Sequence, residues 1–255
     1  IKKMIKKFRI LKFKSKPVIQ LKNISKSFGK RVVLKKVDFD VNPGELFGIL
    51  GPNGCGKSTL FNCICGIINP NKGDIFINSE RANNLPIHIR ARKYDLALIP
   101  QNAAVFLGLT TEDNLRAVAE IVLKDKTKID SRVNGLLSEY KLDHLKDQYA
   151  KKLSGGERRR LAIAMSLVGN PKIILMDEPL SHLDPITIDM LKRIILNLQR
   201  KNISVIISDH NFSALLSISD RCIVISDGEV IISGNPRDII HDKKAKEFYF
   251  GEGTV

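Results

Sequence analysis

The sequence predicts an α/β fold, a largely parallel sheet covered by helices, and three observations predict it. Short runs rich in Ile and Val recur at 173–176, 205–207 and 223–225, the length of buried strands. Helical spacing fills the gaps, at about 185–200 and 211–219. A glycine-rich loop, Gly51-Pro52-Asn53-Gly54-Cys55-Gly56-Lys57-Ser58, joins an apolar strand-like run to a helix-like one.

The elements follow in order. Pro17 closes a basic arm, and Val18 to Leu21 reads as a strand. A turn at Phe28-Gly29-Lys30 leads to a strand over Val32 to Val41, and Asn42-Pro43-Gly44 turns the chain again. Glu45 to Leu50 is a short apolar strand feeding the glycine-rich loop, and a helix runs from about Lys57 to Cys65. Asn69 to Gly73 breaks the pattern, and strands follow at Asp74–Asn78 and Leu96–Ile99. From about 102 to 170 the spacing is mainly helical, with Thr110 or Thr111 as an N-cap and Glu112 and Asp113 well placed in the first turn.

Composition narrows the function. The 255 residues are 43% hydrophobic, enough for a substantial core. No apolar run approaches the roughly 20 residues that cross a bilayer, and the first segment lacks the apolar core of a secretory signal. A chain opening on Ile1 has lost its start or begins at Met4. Four cysteines form no Cys-x-x-Cys pair, so reduced, cytosolic thiols are expected. The net charge of +15 is concentrated at the start, where residues 1–16 carry eight Lys or Arg and no acid. Apolar residues at 1, 4, 5, 8 and 11 give that arm a helical stripe opposite a basic face. It reads either as contact with an anionic membrane surface or as a solvated tail. No nucleic-acid module is present, and no nucleic-acid partner is expected.

The loop at 51–58 has the pattern that cradles phosphates, and ATP with Mg²⁺ is the expected ligand. Its glycines admit close backbone approach, Lys57 supplies a charge to the outer phosphates, and Ser58 supplies a hydroxyl to Mg²⁺, with Thr59 beside it. Cys55 reads as a small tolerated side chain, or as a thiol whose pKa the helix start lowers. The strand Lys172 to Met176 ends in Asp177 and Glu178. Asp177 suits the metal shell, and Glu178 suits a general base for water.

Leu153-Ser154-Gly155-Gly156-Glu157, shortly before that acidic strand, resembles the signature motif of ABC ATPases. The resemblance spans about 18 to 250. It implies a P-loop core with an antiparallel β part on its N-terminal side and an inserted helical lobe at about 102–170, all within residues 17–255. It also implies a head-to-tail homodimer in which Ser154, Gly155, Gly156 and Glu157 of one subunit cap the ATP of the other. By the same resemblance Gln101 is a metal-sensing glutamine, His210 a γ-phosphate switch, Asp184 an interface aspartate and Phe28 an aromatic that stacks on adenine. His88, His144, His182 and His241 read as ordinary structural or surface histidines.

Leu153 to Arg160, Asp184-Pro185, Ser208-Asp209-His210-Asn211 and Phe248 to Glu252 resemble more narrowly the ATPases of bacterial lipopolysaccharide export. That resemblance implies transmembrane permease subunits as partners and a place on the cytoplasmic face of the inner membrane. An apolar stretch from Ala103 to Leu109 beside Gln101 suits such a partner, or core packing. The family's usual Ala-Gly-Val-Asp is here Ser181-His182-Leu183-Asp184. Branched-chain amino acid importers share a similar end and are the alternative. A soluble, non-transport ABC ATPase fits less, because the chain has neither a second ATPase domain nor a long coiled coil.

Overall fold

The computed structural model describes residues 16–242. The basic arm and Phe248 to Glu252 therefore lie outside the described residues, apart from Lys16. Two sheets face each other across one helix. The larger sheet contains β3 (Leu46–Leu50), β6 (Leu96–Ile99), β7 (Ile173–Asp177), β8 (Ser204–Asp209), β9 (Arg221–Ser226) and β10 (Glu229–Gly234), in the order β10-β9-β3-β8-β7-β6. Its strands run parallel except β10, which returns antiparallel beside β9. The smaller sheet is antiparallel, with β1 (Ile19–Phe28), β2 (Arg31–Val41), β4 (Lys72–Ile77) and the two-residue β5 (Glu80–Arg81) in the order β2-β1-β4-β5.

Strand periodicity divides the interior. Successive side chains point to opposite faces. Leu46, Leu50, Ile174, Met176, Val205, Ile207 and Val224 face one core, which α3 (Thr111–Val122), α4 (Ile129–Glu139), α5 (Gly155–Leu167) and α6 (Pro185–Arg200) cover. The alternate residues Phe47, Ile49, Ile173, Leu175, Ile206 and Ile223 face a second core. There α1 (Lys57–Cys65) contributes Leu60, Phe61 and Ile64, and the antiparallel sheet contributes Ile19, Leu21, Leu34 and Ile75. The helix that follows the glycine-rich loop is thus held between two sheets. The remaining helices are α2 (Ile87–Tyr94), α7 (Phe212–Ile218) and α8 (Pro236–His241).

The expected α/β fold with an antiparallel part is the observed one, with specific corrections. The first strand runs on past Leu21 to Phe28, because its register with β2 shifts at several points and these irregularities hide the alternation. The strand expected from Glu45 starts at Leu46, and that expected over Asp74–Asn78 covers Lys72–Ile77. The sheet is largely parallel as expected, and β10 makes it mixed. Neither β10 nor α2 has a counterpart in the sequence reading. Thr110, not Thr111, caps α3, accepting from the Asp113 N–H at 3.1 Å.

Candidate active site

The site forms where β3, β7 and β8 end side by side. All five residues of β3 are buried, and the chain leaves it at Gly51 into the loop. An ideal Cβ at Gly51 would press on the Ile225 carbonyl and the Cys55 sulfur, so only glycine fits. Gly54 (φ +80°) and Gly56 (φ +111°) adopt left-handed backbone, which costs glycine little. Gly56 is the N-cap of α1 and offers no side chain, so the first N–H groups of that helix have no side-chain acceptor there. Pro52, Asn53, Gly54 and Ser58 are exposed and Thr59 is half-buried, at the mouth of the loop. Lys57 is buried, with Nζ donating to the carbonyls of Gly51 at 2.9 Å and Pro52 at 3.0 Å.

The acidic pair stands against this lysine. Asp177 and Glu178 are each 7% exposed. The Ser208 hydroxyl, from the neighbouring strand β8, donates to Asp177 Oδ1. Glu178 Oε1 lies 3.9 Å from Lys57 Nζ. Glu178 Oε2 accepts from Gln101 Nε2 at 2.8 Å and from the Ser181 hydroxyl at 3.3 Å, with His210 Nδ1 3.6 Å away. Gln101, Lys57, Glu178 and His210, expected from distant parts of the sequence, therefore form one cluster. Glu178 itself sits at φ +47°, a backbone state that a side-chain-bearing residue adopts at a cost.

Three supporting residues were invisible as such in the sequence. Arg159, on α5, is buried, and its guanidinium donates to the carbonyls of Gln101 (2.8 Å), Pro100 (3.4 Å) and Glu178 (3.4 Å). Burial lowers its pKa, partly offset by Asp209, Asp177 and Glu178. Asp209, fully buried, accepts from the backbone N–H of Leu180 (3.1 Å) and Asn211 (2.8 Å), tying the turns after β7 and β8 together. Ser181 bridges Glu178 and His210. The only advance signal for Arg159 was its place in a run of three arginines.

The Ser154 turn lies apart, at the start of α5. The Ser154 hydroxyl accepts from the Glu157 N–H at 3.3 Å, and the Ser154 N–H donates to Glu157 Oε2 at 2.7 Å. This reciprocal capping box holds the Glu157 carboxyl below its usual pKa, chiefly through the Ser154 N–H. Asp184 caps α6, accepting from the Thr187 N–H at 3.0 Å, and the Thr187 hydroxyl and N–H lower its pKa. Both carboxylates expected at the nucleotide are thus engaged in their own helix starts. Phe28 ends β1 and is 51% exposed, with Lys26 Nζ 5.2 Å from its ring centroid. Phe106 and Leu107 are each half-exposed beside Gln101.

Of the two readings of Cys55, the structure supports the small tolerated side chain and not the thiol whose pKa the helix start lowers. The side chain is buried, and burial raises the thiol pKa by more than Lys57 lowers it.

A family profile described as ABC transporter matches residues 34–181, from β2 through Ser181. The chain belongs to the ABC transporter family. It is an ATPase of that family, and ATP is its nucleotide. It is 41% identical to the lipopolysaccharide export system ATP-binding protein LptB of Escherichia coli K12 over 91% of this chain and 96% of that one. It is 38% identical to the protein of the same name from Haemophilus influenzae over 92% and 98%. Among solved structures, a nucleotide-free ATP-binding cassette of an ABC transporter superposes with a TM-score of 0.83 at 28% identity, covering 93% of this chain and all of that one. A dimeric cassette in a post-hydrolysis state, bound to ADP and phosphate, superposes with a TM-score of 0.77 at 27% identity, covering 86% and 99%. No helix among the described residues is long and apolar enough to cross a membrane.

Proposed function

We propose that this ATPase works as a homodimer beneath transmembrane permease subunits at the cytoplasmic face of the inner membrane, and drives extraction of lipopolysaccharide. The observation that carries this reading is the 41% identity to the E. coli export ATPase along nearly the whole chain, together with an intact Lys57–Glu178–Gln101–His210 cluster. The half-exposed Phe106 and Leu107 next to Gln101 offer a permease an apolar foothold one loop away from the chemistry.

The residues assign themselves roles by position. The loop from Gly51 to Thr59, through its N–H groups other than at Pro52, and the start of α1 hold the phosphates, and Lys57 neutralises them. Phe28 stacks on adenine. Ser58, Asp177 and Gln101 would hold Mg²⁺, which when bound would screen phosphate charge. The donor set fits a hard cation, being hydroxyl, carboxylate and amide oxygen. Glu178 accepts the proton of the attacking water, with His210 at the γ-phosphate. Ser154, Gly155, Gly156, Glu157 and Asp184 of the second subunit complete the site. The basic arm at 1–16 adds a contact to anionic lipid.

Two experiments test this. Glu178→Gln should keep ATP binding and lose turnover by 100-fold or more, on the order expected for removing a general base. Parent-like turnover would remove Glu178 from its role. Affinity capture from native membranes should recover two polytopic subunits with lipopolysaccharide. Recovery of an amino-acid permease pair would instead support the importer alternative.

A further inference from the structure

Strand β8 lies between β3 and β7, and its register sets Ser208 beside Asp177 on one side and Ile49 on the other. Alternation puts Ser208 on the face of Ile206, towards the core that α1 fills, the helix carrying Lys57 and Ser58. Ser208 is fully buried there. An apolar side chain would suit such a place, and a hydroxyl costs free energy unless it is bonded. Its bond goes to Asp177 Oδ1. The next residue behaves differently: Asp209 accepts only from the main chain, from the N–H groups of Leu180 and Asn211.

That bond fixes more than the serine. The last torsion of an aspartate is broad and nearly two-fold, so strand geometry alone leaves the carboxylate plane open. A carboxylate only accepts, so the hydroxyl proton is on Ser208 and is given to Oδ1. Oδ2 has no hydrogen-bond partner among the described residues. The backbone is held as well, because the Glu178 N–H donates to the Ser208 carbonyl at 2.8 Å. Ser208 thus grips the end of β7 twice, by its carbonyl just past Asp177 and by its hydroxyl on one carboxylate oxygen. The other oxygen keeps its lone pairs.

We propose that Ser208 is a positioning residue for the metal site: its hydroxyl fixes the plane of the Asp177 carboxylate and leaves Oδ2 as the oxygen for Mg²⁺. This rests on the assignment of Asp177 to Mg²⁺ above. Partners that orient a metal ligand set metal affinity although they never touch the metal. A serine that only filled the core would leave the metal's contribution to nucleotide binding as it is. A positioning serine determines how much Mg²⁺ adds to that binding.

The test is the affinity of the full chain for AMP-PNP, a non-hydrolysable ATP analogue, by calorimetry, with Mg²⁺ and with EDTA in its place, for Ser208→Ala, Ser208→Cys and Asp177→Ala. Ser208→Ala should weaken binding in Mg²⁺ about 10-fold, the lower end of the range for losing a partner of a metal ligand, and bind as the parent does in EDTA. Ser208→Cys keeps the approximate size with a weaker donor, and should fall between the two. Parent-like affinity of Ser208→Ala in Mg²⁺ overturns the proposal. Weakening by the same factor in Mg²⁺ and in EDTA overturns it too, because that is damage to the fold and not loss of aim. Should Ser208→Ala fail to fold, Ser208→Cys carries the same two readings. A parent-like gain from Mg²⁺ in Asp177→Ala overturns the metal assignment itself, whereas loss of that gain beside an unchanged Ser208→Ala sinks only the role of Ser208.

Discussion

At the scale of the residue, the site is governed by what burial does to groups that sequence treats as interchangeable. Cys55 shows this best. A thiol at a helix start beside a lysine should ionise easily. Here Lys57 turns its Nζ to the carbonyls of Gly51 and Pro52, while the Cys55 sulfur packs against Gly51 in the core. Burial then dominates, and the thiol is held in its neutral form. Iodoacetamide should therefore alkylate Cys55 more slowly at neutral pH than it does a free cysteine. The rate should rise with pH beyond the range where an ordinary thiol has levelled off. Mass spectrometry of the Cys55 peptide across a pH series reads this directly, and reaction as fast as free thiol at neutral pH contradicts it. Cys63 and Cys65, pushed up by burial to about 11 and about 12, should be slower still and serve as internal references.

At the scale of the element, α1 is fixed at both ends by different means. Its start is the glycine loop. Its last turn is held by Arg90 from α2, which is fully buried and donates to the carbonyls of Cys63 (2.8 Å) and Ile64 (2.6 Å), and to those of Leu85 (2.7 Å) and Asn83 (3.1 Å). The positive charge sits at the negative end of the helix, and its own pKa is lowered by burial. Gly66, at φ +79°, leaves room where a Cβ would meet the Arg90 Nε. Arg90→Met keeps the length and removes the donors, stranding buried carbonyls, and should cost about 2–4 kcal/mol. Urea unfolding checks it, and a loss under 1 kcal/mol, on the order of an ordinary surface substitution, would mean that water replaces the guanidinium.

The same elements show what sequence could reveal. Helices α1 and α6 were legible to the residue because local chemistry marks their ends, with Gly56 and Gly66 around one and Asp184-Pro185 opening the other. Strands β6 and β7 were legible within one residue from their apolar runs. Helix α2 was not, because its Ile87-His88-Ile89-Arg90 hides its anchor in a charged residue that pattern rules place outside. Likewise Lys57 and Glu178 were legible from their motifs, and Gln101 and His210 through the family resemblance, but the supporting roles of Arg159 and Asp209 were not. Their partners are main-chain groups, which carry no sequence.

At the scale of the whole molecule, the question is how one chain supplies a complete site. The phosphate loop belongs to the core between the two sheets, whereas Ser154 opens α5 in the helical layer on the other face. The turn packs within its own chain against the start of α6, where Cβ atoms added at Gly155 and Gly156 would meet Leu183 and Thr187. The reciprocal Ser154–Glu157 capping box sets the geometry of the turn from within the helix itself. A preformed turn of this kind is suited to meeting a ligand presented by another copy. In the homodimer proposed above, two such copies would each give a loop to one site and a turn to the other, a closed arrangement. Lys57→Ala and Ser154→Arg should then each abolish turnover alone. Mixed after subunit exchange, they should recover about one quarter of parent turnover, since roughly half the dimers are hybrids and each hybrid keeps one intact site. If a single chain built the whole site, every hybrid would hold two defective sites and mixing would restore nothing. Circular dichroism of each variant before mixing separates a blocked turn from a lost cap, which costs about 1 kcal/mol and leaves the fold in place.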